Sequence, residues 1–255
     1  MSKDCGLIEV YPDIYQITGT NRAAHAYLIR GTRKNLLIDA GLPNTATHLT
    51  ACLRELGLRP RDIHMVLLTH EHIDHAGGAP TFSGSATIAA HRLAANKLVL
   101  KDEFTLMNRA FEEMVEDFEV DVLLDEGSAI NLGNYELEIL HTPGHCSGAI
   151  CVYEPNHRLL FSGDTIMANG VVGGVLGSGN ASDYIHTLKR LSGLKVSHLY
   201  PGHGKLSNTP EADIQMGMER LQALMDDTKT LFDAVKHANH GFDQIMRSLR
   251  ELNIK

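Results

Sequence analysis

The stretch His70-Glu71-His72-Ile73-Asp74-His75 sets three imidazoles and a carboxylate at the spacing H-x-H-x-D-H. Imidazole is the commonest metal ligand among side chains and suits zinc, iron and copper. A lone histidine is ordinarily a surface or satisfied core residue. Three of them this close, with an aspartate among them, point to a bound metal. Met65-Val66-Leu67-Leu68-Thr69 precedes the cluster as a short apolar run that reads as a buried strand. Ala76-Gly77-Gly78 follows it and suits a close backbone approach or the entry to a helix. The histidines therefore stand where a strand ends and a loop begins, the usual place for ligands.

Four further positions share that setting. Asp39 ends Leu36-Leu37-Ile38-Asp39, and His145 ends His141-Thr142-Pro143-Gly144-His145. Asp164 lies in Ser162-Gly163-Asp164-Thr165, and His203 in Tyr200-Pro201-Gly202-His203-Gly204. Each closes an apolar run beside Gly or Pro. Strand ends of this kind, repeated along one chain, predict one rim of a sandwich that collects ligands. The chain holds 15 histidines, so His145 or His203 alone would decide little; it is their order with Asp164 that carries the inference.

These five motifs, spread over residues 7–208, resemble those of the metallo-β-lactamase-fold superfamily. The resemblance implies a first metal on His70, His72 and His145, and a second on Asp74, His75 and His203. Asp164 falls on the carboxylate that bridges both, and Asp39 on a buried aspartate behind the ligands. Histidine at position 72 argues against the flavodiiron branch, and Asp164 against the true β-lactamases, which lack that bridge. The pattern is most similar to the glyoxalase II, lactonase and related hydrolase branches. It implies an α+β fold, a four-layered αββα sandwich, over residues 1–208, with 209–255 as a helical extension packed on it.

Two divalent ions held by five histidines and two aspartates would carry a large uncompensated charge. Zinc is the default, and iron or manganese accept the same mixed ligands. A water bridging the ions would lose a proton near neutral pH, its pKa falling from about 15.7 to about 7 as in the best-known zinc case. That hydroxide would attack, while one ion stabilises the oxyanion and the other holds the leaving oxygen or sulfur. Asp74 is expected to ligate and to orient the nucleophile. Asp39 is expected to accept a hydrogen bond from a ligand imidazole and fix its tautomer. The expected activity is a metal-dependent hydrolase of a small ester, thioester or lactone. The alternatives are a phosphodiesterase or nuclease on the same fold, and a non-catalytic metal-binding module. The complete ligand set speaks against the last.

Substrate-facing residues are harder to read. Arg22, in Thr20-Asn21-Arg22-Ala23-Ala24-His25, is a candidate to bind a carboxylate. Tyr184 is a candidate to protonate a leaving group, as tyrosines do in some lactonases. The Gly-rich stretch 169–179 lacks the order of a phosphate-binding loop and reads as a close passage around the cleft.

The elements that must position these residues are partly visible. Strands are expected at Ile8–Ile17 (broken at Pro12), Ala26–Ile29, Asn35–Asp39, Met65–Thr69, Ala86–Ala89, Tyr135–His141, Ala149–Tyr153, Arg158–Ser162 and Ser197–Tyr200. Helices are expected at Thr45–Leu56, capped by Asn44 and stopped by Gly57, and at Asp183–Leu191, capped by Ser182. Between the metal motifs, Phe104, Met107, Phe111, Met114, Val115 and Phe118 recur at helical steps within residues 92–118. The stripe predicts a helix packed on the sandwich, part of it overhanging the metals as an acyl or leaving-group wall. Thr209-Pro210-Glu211 opens another helix. Its stripe runs through Ile214, Met218, Leu221, Met225, Phe232 and Val235; after Gly241, Phe242, Ile245, Met246 and Leu249 begin a second, and the pair is a candidate dimer contact.

A net charge of −8 disfavours a nucleic-acid partner. No run approaches a membrane span and no secretory leader is visible, so a cytoplasmic location is expected. Cys5, Cys52, Cys146 and Cys151 show no disulfide or C-x-x-C spacing. Cys146, beside His145, is expected to pack rather than ligate.

Overall fold

The computed structural model describes residues 6–229. One sheet holds β1 (Leu7–Tyr11), β2 (Ile14–Ile17), β3 (Ala26–Arg30), β4 (Asn35–Ile38), β5 (Met65–Leu68), β6 (Thr87–His91) and β7 (Val122–Leu124), side by side in chain order. β1 to β4 pair antiparallel and β4 to β7 pair parallel. The second sheet holds β8 (Ala129–Asn131), β9 (Glu136–His141), β10 (Ile150–Glu154), β11 (Leu159–Gly163) and β12 (His198–Pro201). There β8 to β11 pair antiparallel, and β11 with β12 parallel. Parallel neighbours need crossovers. The helices are α1 (Ala46–Glu55), α2 (Ile73–Ala76), α3 (Arg92–Leu100), α4 (Asn108–Phe111), α5 (Ala181–Leu191) and α6, which covers residues 210–229.

The central strands read as unbroken apolar runs because both their faces are covered. Leu36, Ile38 and Leu67 point between the sheets and meet Ile150, Val152, Leu159 and Phe161. Their neighbours Leu37, Val66 and Leu68 face the other way, onto Leu49, Cys52 and Leu53 of α1 and Ala94, Ala95 and Leu98 of α3. Cys151, Tyr153, Leu160 and Leu199 likewise face outward, onto Tyr184, Leu188 and Leu191 of α5 and Ile214 and Leu221 of α6. Helix, sheet, sheet and helix thus form the four layers of a mixed sandwich.

Several local expectations are corrected. Ile8–Ile17 is a hairpin that turns at Pro12 and Asp13, the latter left-handed at φ 57°. The Asn44 amide bonds Glu113 rather than capping α1, which begins beyond a turn of 3-10 helix at Pro43–Thr45. Helix α5 is capped by Asn180, not Ser182: its Oδ1 accepts from the N–H groups of Ser182 (2.8 Å) and Asp183 (3.1 Å). Strands β7 and β8 add to the expected set; they are three residues each, too short for a period-two pattern.

The stripe in 92–118 is not one helix. Left-handed residues at Lys101 (φ 50°), Met107 (φ 64°) and Glu112 (φ 57°) cut it into α3, a turn, the single turn of α4 and an extended tail. Phe104 and Met114 are exposed, while Leu106 and Val115 are buried. In the C-terminal segment Pro210 takes the first helical position, as expected. The positions Phe232, Val235, Gly241, Phe242, Ile245, Met246 and Leu249 lie outside the described residues.

Candidate metal centre

Each expected ligand stands at or just past the end of a strand, on one rim of the sandwich. β4 delivers Asp39; β5 delivers His70 and His72, and the turn of α2 adds Asp74 and His75. The loop after β9 carries His145, that after β11 Asp164 and that after β12 His203. The rim is crowded. A Cβ on Gly202 would lie 2.5 Å from His75 Cε1 and 2.7 Å from Asp164 Oδ1, so only glycine passes there.

The side chains gather into overlapping sets, among them His70, His72 and His145, and Asp74, His75 and His203. His72 Nδ1 lies 3.0 Å from both His70 Nε2 and His145 Nε2. His203 Nε2 lies 3.0 Å from Asp74 Oδ2. Asp164 stands between the sets: Oδ2 is 3.7 Å from His145 Nε2, and Oδ1 is 3.3 Å from His75 Nε2 and 3.8 Å from His203 Nε2.

The surrounding hydrogen bonds fix which nitrogens hold lone pairs. His75 Nδ1–H donates to Asp39 Oδ2 at 2.8 Å. His145 Nδ1–H donates to the Gly174 carbonyl at 3.0 Å. The Thr69 hydroxyl donates to Asp39 Oδ2 (2.8 Å) and so accepts from His70 Nδ1–H (3.1 Å). Each ring, when neutral, therefore aims an unprotonated Nε2 inward. His72 Nδ1 can offer at most one hydrogen to the two lone pairs that face it. His75 Nε2 and Asp164 Oδ1, 3.3 Å apart, are buried without a hydrogen-bond partner. Converging lone pairs of this kind are a cradle for cations.

Electrostatics agree. Burial, then the neighbouring His145, pushes His72 down to about 4. Burial and the surrounding imidazoles push His70 well below its ordinary value, so both rings are neutral, as ligands must be. Burial opposes charge on His75, but Asp164, Asp39 and Asp74 outweigh it and raise its pKa well above the usual value. The carboxylates demand positive charge here, from a proton or from a metal. Burial also resists ionisation of Asp164, yet His75, His145 and His203 hold its carboxyl below the ordinary range.

Beside these ligands opens a cleft of about 480 Å³, lined by His72, Asp74, His145, Asp164 and His203 on one side. Arg22, Met107, Ala110, Phe111 and Leu176 line the other. Arg22 lies at the cleft as expected: its guanidinium covers the Phe111 ring at 4.5 Å and donates to the Ala110 carbonyl at 3.0 Å. Of the helical stripe, Met107 and Phe111 reach the cleft. Leu176, from the Gly-rich passage, gave no signal in the sequence.

Tyr184 is not at the cleft. Its side chain is 0% exposed, and its hydroxyl donates to the Thr165 carbonyl (2.8 Å) and accepts from the Gly173 N–H (3.1 Å). It is a strut beneath Asp164, because its place on the inner face of α5 turns it into the core. Cys146 packs as expected, its Sγ donating to Glu71 at 3.2 Å. Glu71, hidden between two candidate ligands in sequence, turns away from the candidate ligands toward Lys97 and Ser178. It meets Lys97 (2.8 Å) and Ser178 (2.9 Å), tying the loops behind His145.

Known proteins share both the pattern and the shape. A family model described as the metallo-beta-lactamase superfamily matches residues 19–203. The acyl-coenzyme A thioesterase MBLAC2 of Gallus gallus is 32% identical over 227 residues, covering 79% of this chain and 76% of its own. The probable metallo-hydrolase MJ0888 of Methanocaldococcus jannaschii is 31% identical over 202 residues, covering 76% and 94%. The metallo-beta-lactamase family protein TTHA1429 of Thermus thermophilus superposes with a TM-score of 0.73 at 24% identity, covering 88% of this chain and 84% of that one. With a family model spanning the rim from the β2–β3 loop to His203, the chain belongs to the metallo-beta-lactamase superfamily.

Proposed function

We propose that this chain is a zinc-dependent hydrolase that binds two divalent ions and cleaves the thioester of an acyl group. His70, His72 and His145 would hold one ion, Asp74, His75 and His203 the other, and Asp164 both. Bound there, the ions would supply a water acidified to a pKa of about 7 and Lewis acidity for the carbonyl oxygen. Asp74, which lines the cleft, orients the attacking water by accepting its hydrogen. Asp39 keeps His75 in the tautomer that leaves Nε2 free. Met107, Phe111 and Leu176 cover the acyl part and exclude water, and Arg22, resting on Phe111, offers its guanidinium to an anionic part of the substrate.

The observation that carries the thioester reading is the position of the Tyr184 hydroxyl. With Tyr184 turned inward, the ionisable groups that line the cleft among the described residues are the candidate metal ligands and Arg22. A thiol has a pKa of about 8.5 and leaves as a thiolate without a placed acid. An alcohol is a poorer leaving group and draws more on an acid or an ion at its oxygen. The thioesterase name of the Gallus gallus relative supports the same choice. The cleft is small and half apolar, which favours a small-molecule substrate over a polyanion.

The test is a substrate panel on metal-loaded protein: an acyl-coenzyme A thioester, an acyl-homoserine lactone, a β-lactam and bis-p-nitrophenyl phosphate, with metal content measured on the same sample. Expected are two ions per chain and kcat/KM on the thioester roughly tenfold or more above each of the others. A higher value on the phosphodiester rejects the reading. Activity that survives complete chelation rejects the metal chemistry.

A further inference from the structure

The loop between β2 and β3 stitches together the two segments that carry Asp74 and His203. The Ala24 N–H donates to the Asp74 carbonyl at 3.0 Å, and the next N–H, of His25, donates to the Gly202 carbonyl at 2.7 Å. The His25 ring adds another bond. The Gly19 N–H donates to its Nδ1 at 3.0 Å, which places the ring hydrogen on Nε2. That N–H donates to the Gly204 carbonyl at 2.9 Å. The carbonyls on both sides of His203 are therefore held by one residue.

His203 has need of such support. Its side chain is 31% exposed, against 6% for Asp74, 0% for His75 and 11% for Asp164. Packing fixes the other ligands; the reach of His203 depends on the backbone that carries it. That backbone has little slack, since Gly202 passes against His75 and Asp164.

We propose that His25 is a positioning residue for the second cation: by gripping the main chain on either side of His203, it sets that ring's approach to Asp74 and Asp164. The inference rests on the two-ion reading above. It makes the second ion's affinity depend on a side chain that touches neither ion nor substrate, and it predicts little effect on the site of His70, His72 and His145.

Two variants of the full chain separate the hydrogen bond from the bulk of the ring. His25→Asn keeps an acceptor for Gly19 and is too short to reach Gly204. His25→Gln keeps an N–H donor at the distance of Nε2. Zinc is titrated into stripped protein, and amide hydrogen exchange is followed over residues 201–206 and 70–75. For His25→Asn the weaker zinc should bind about tenfold less tightly, the range seen when partners of metal ligands are lost. The tighter zinc should be unchanged, and exchange should quicken in 201–206 but not in 70–75. His25→Gln should restore both readouts toward wild type. Two variants that both match wild type, or that lose both zincs equally, overturn the assignment. A wild-type chain that binds a single zinc removes the two-ion reading instead. Exchange over 201–206 then decides on His25 alone: quickened in His25→Asn, the grip on His203 stands, and unchanged, it falls.

Discussion

Oδ2 of Asp39 lies 2.8 Å from Nδ1 of His75 and 2.8 Å from the Thr69 hydroxyl, while Oδ1 takes the Thr69 N–H at 2.8 Å. All three partners donate, so Asp39 serves purely as an acceptor. It does so from a left-handed backbone at φ 59°, a conformation that costs a non-glycine residue about 1–3 kcal/mol. Asp39→Asn is nearly isosteric but turns one oxygen into a donor. It would face a donor with a donor, or force His75 into the other tautomer and aim Nε2–H at the ligand cluster. Metal affinity should fall about 10–100-fold, read by zinc titration, with the fold intact by circular dichroism. Unchanged affinity would show that Asp39 holds the backbone of Thr69 and nothing more.

Asp164 and Cys146 both neighbour His145 but have unlike surroundings. Asp164 faces His145 with one oxygen and His75 and His203 with the other. Cys146 is buried behind, its thiol pushed up by burial and by Glu71, so it is neutral and poor at ligation. Asp164→Ala should lower kcat/KM by about a hundredfold or more, a loss of roughly 2.7 kcal/mol or more in transition-state stabilisation. Cys146→Ala should lower it by about threefold at most. Equal losses in two folded proteins would mean that the bridge between the ligand sets has been misassigned.

The ligand rim was legible because metal chemistry restricts residue type. Only a few side chains can serve, and they sit at strand ends, so His70 to His75, His145, Asp164 and His203 stand out in sequence as candidate ligands. The central strands were legible for a similar reason: burial on both faces of Leu36–Ile38 or Leu159–Phe161 leaves a continuous apolar run. The cleft wall was not. Its shape is set by left-handed turns at Met107 and Glu112, residues with no glycine-like signature, and an apolar recurrence of three to four survives the break. The place of Tyr184 is not legible because tyrosine chemistry is the same inside and outside; its position on the inner face of α5 is what buries it. His25 and Glu71 act through long-range hydrogen bonds, which one-dimensional spacing does not encode.

His91 offers a pH test away from the metals. It caps α3, its Nδ1 accepting from the Leu93 N–H at 3.3 Å, and it stacks on His141 with ring centroids 4.0 Å apart. Burial, then His141 and Arg92, push its pKa down to about 4, against the pull of Asp125 and Glu71. The folded pKa is thus below the ordinary 6.5. The unfolded chain binds the extra proton, so the stability due to a neutral His91 is full above pH 6.5 and is lost as pH falls toward 4. Asn keeps a capping oxygen and cannot titrate. As pH falls from 7.5 to 4.5 the melting temperature of wild type should drop relative to that of His91→Asn, because ligand protonation affects both alike. Curves that stay parallel would show that His91 is not neutral in the fold for the reason given.

Arg22 sits where substrate recognition and wall support overlap. Its guanidinium rests on Phe111 and bonds the Ala110 carbonyl, which uses one face and one N–H. The fork still has donors to offer an anion at the cleft, and its planar geometry suits a carboxylate or phosphate. Support of Phe111 alone is worth about 0.5–1 kcal/mol, as exposed cation–π contacts are. A charge-assisted bond to the substrate adds more, and only where the substrate carries an anion. Arg22→Ala should therefore raise KM about tenfold for an acyl-coenzyme A thioester, whose leaving group bears phosphates, with kcat changed less. For the same acyl group on an uncharged thiol such as N-acetylcysteamine, KM should rise about threefold, the share due to Phe111. Arg22→Lys should recover little, because a point charge lacks the fork. Equal losses on the charged and uncharged thioesters would reduce Arg22 to a prop for the cleft wall and leave the anion of the leaving group to be recognised elsewhere.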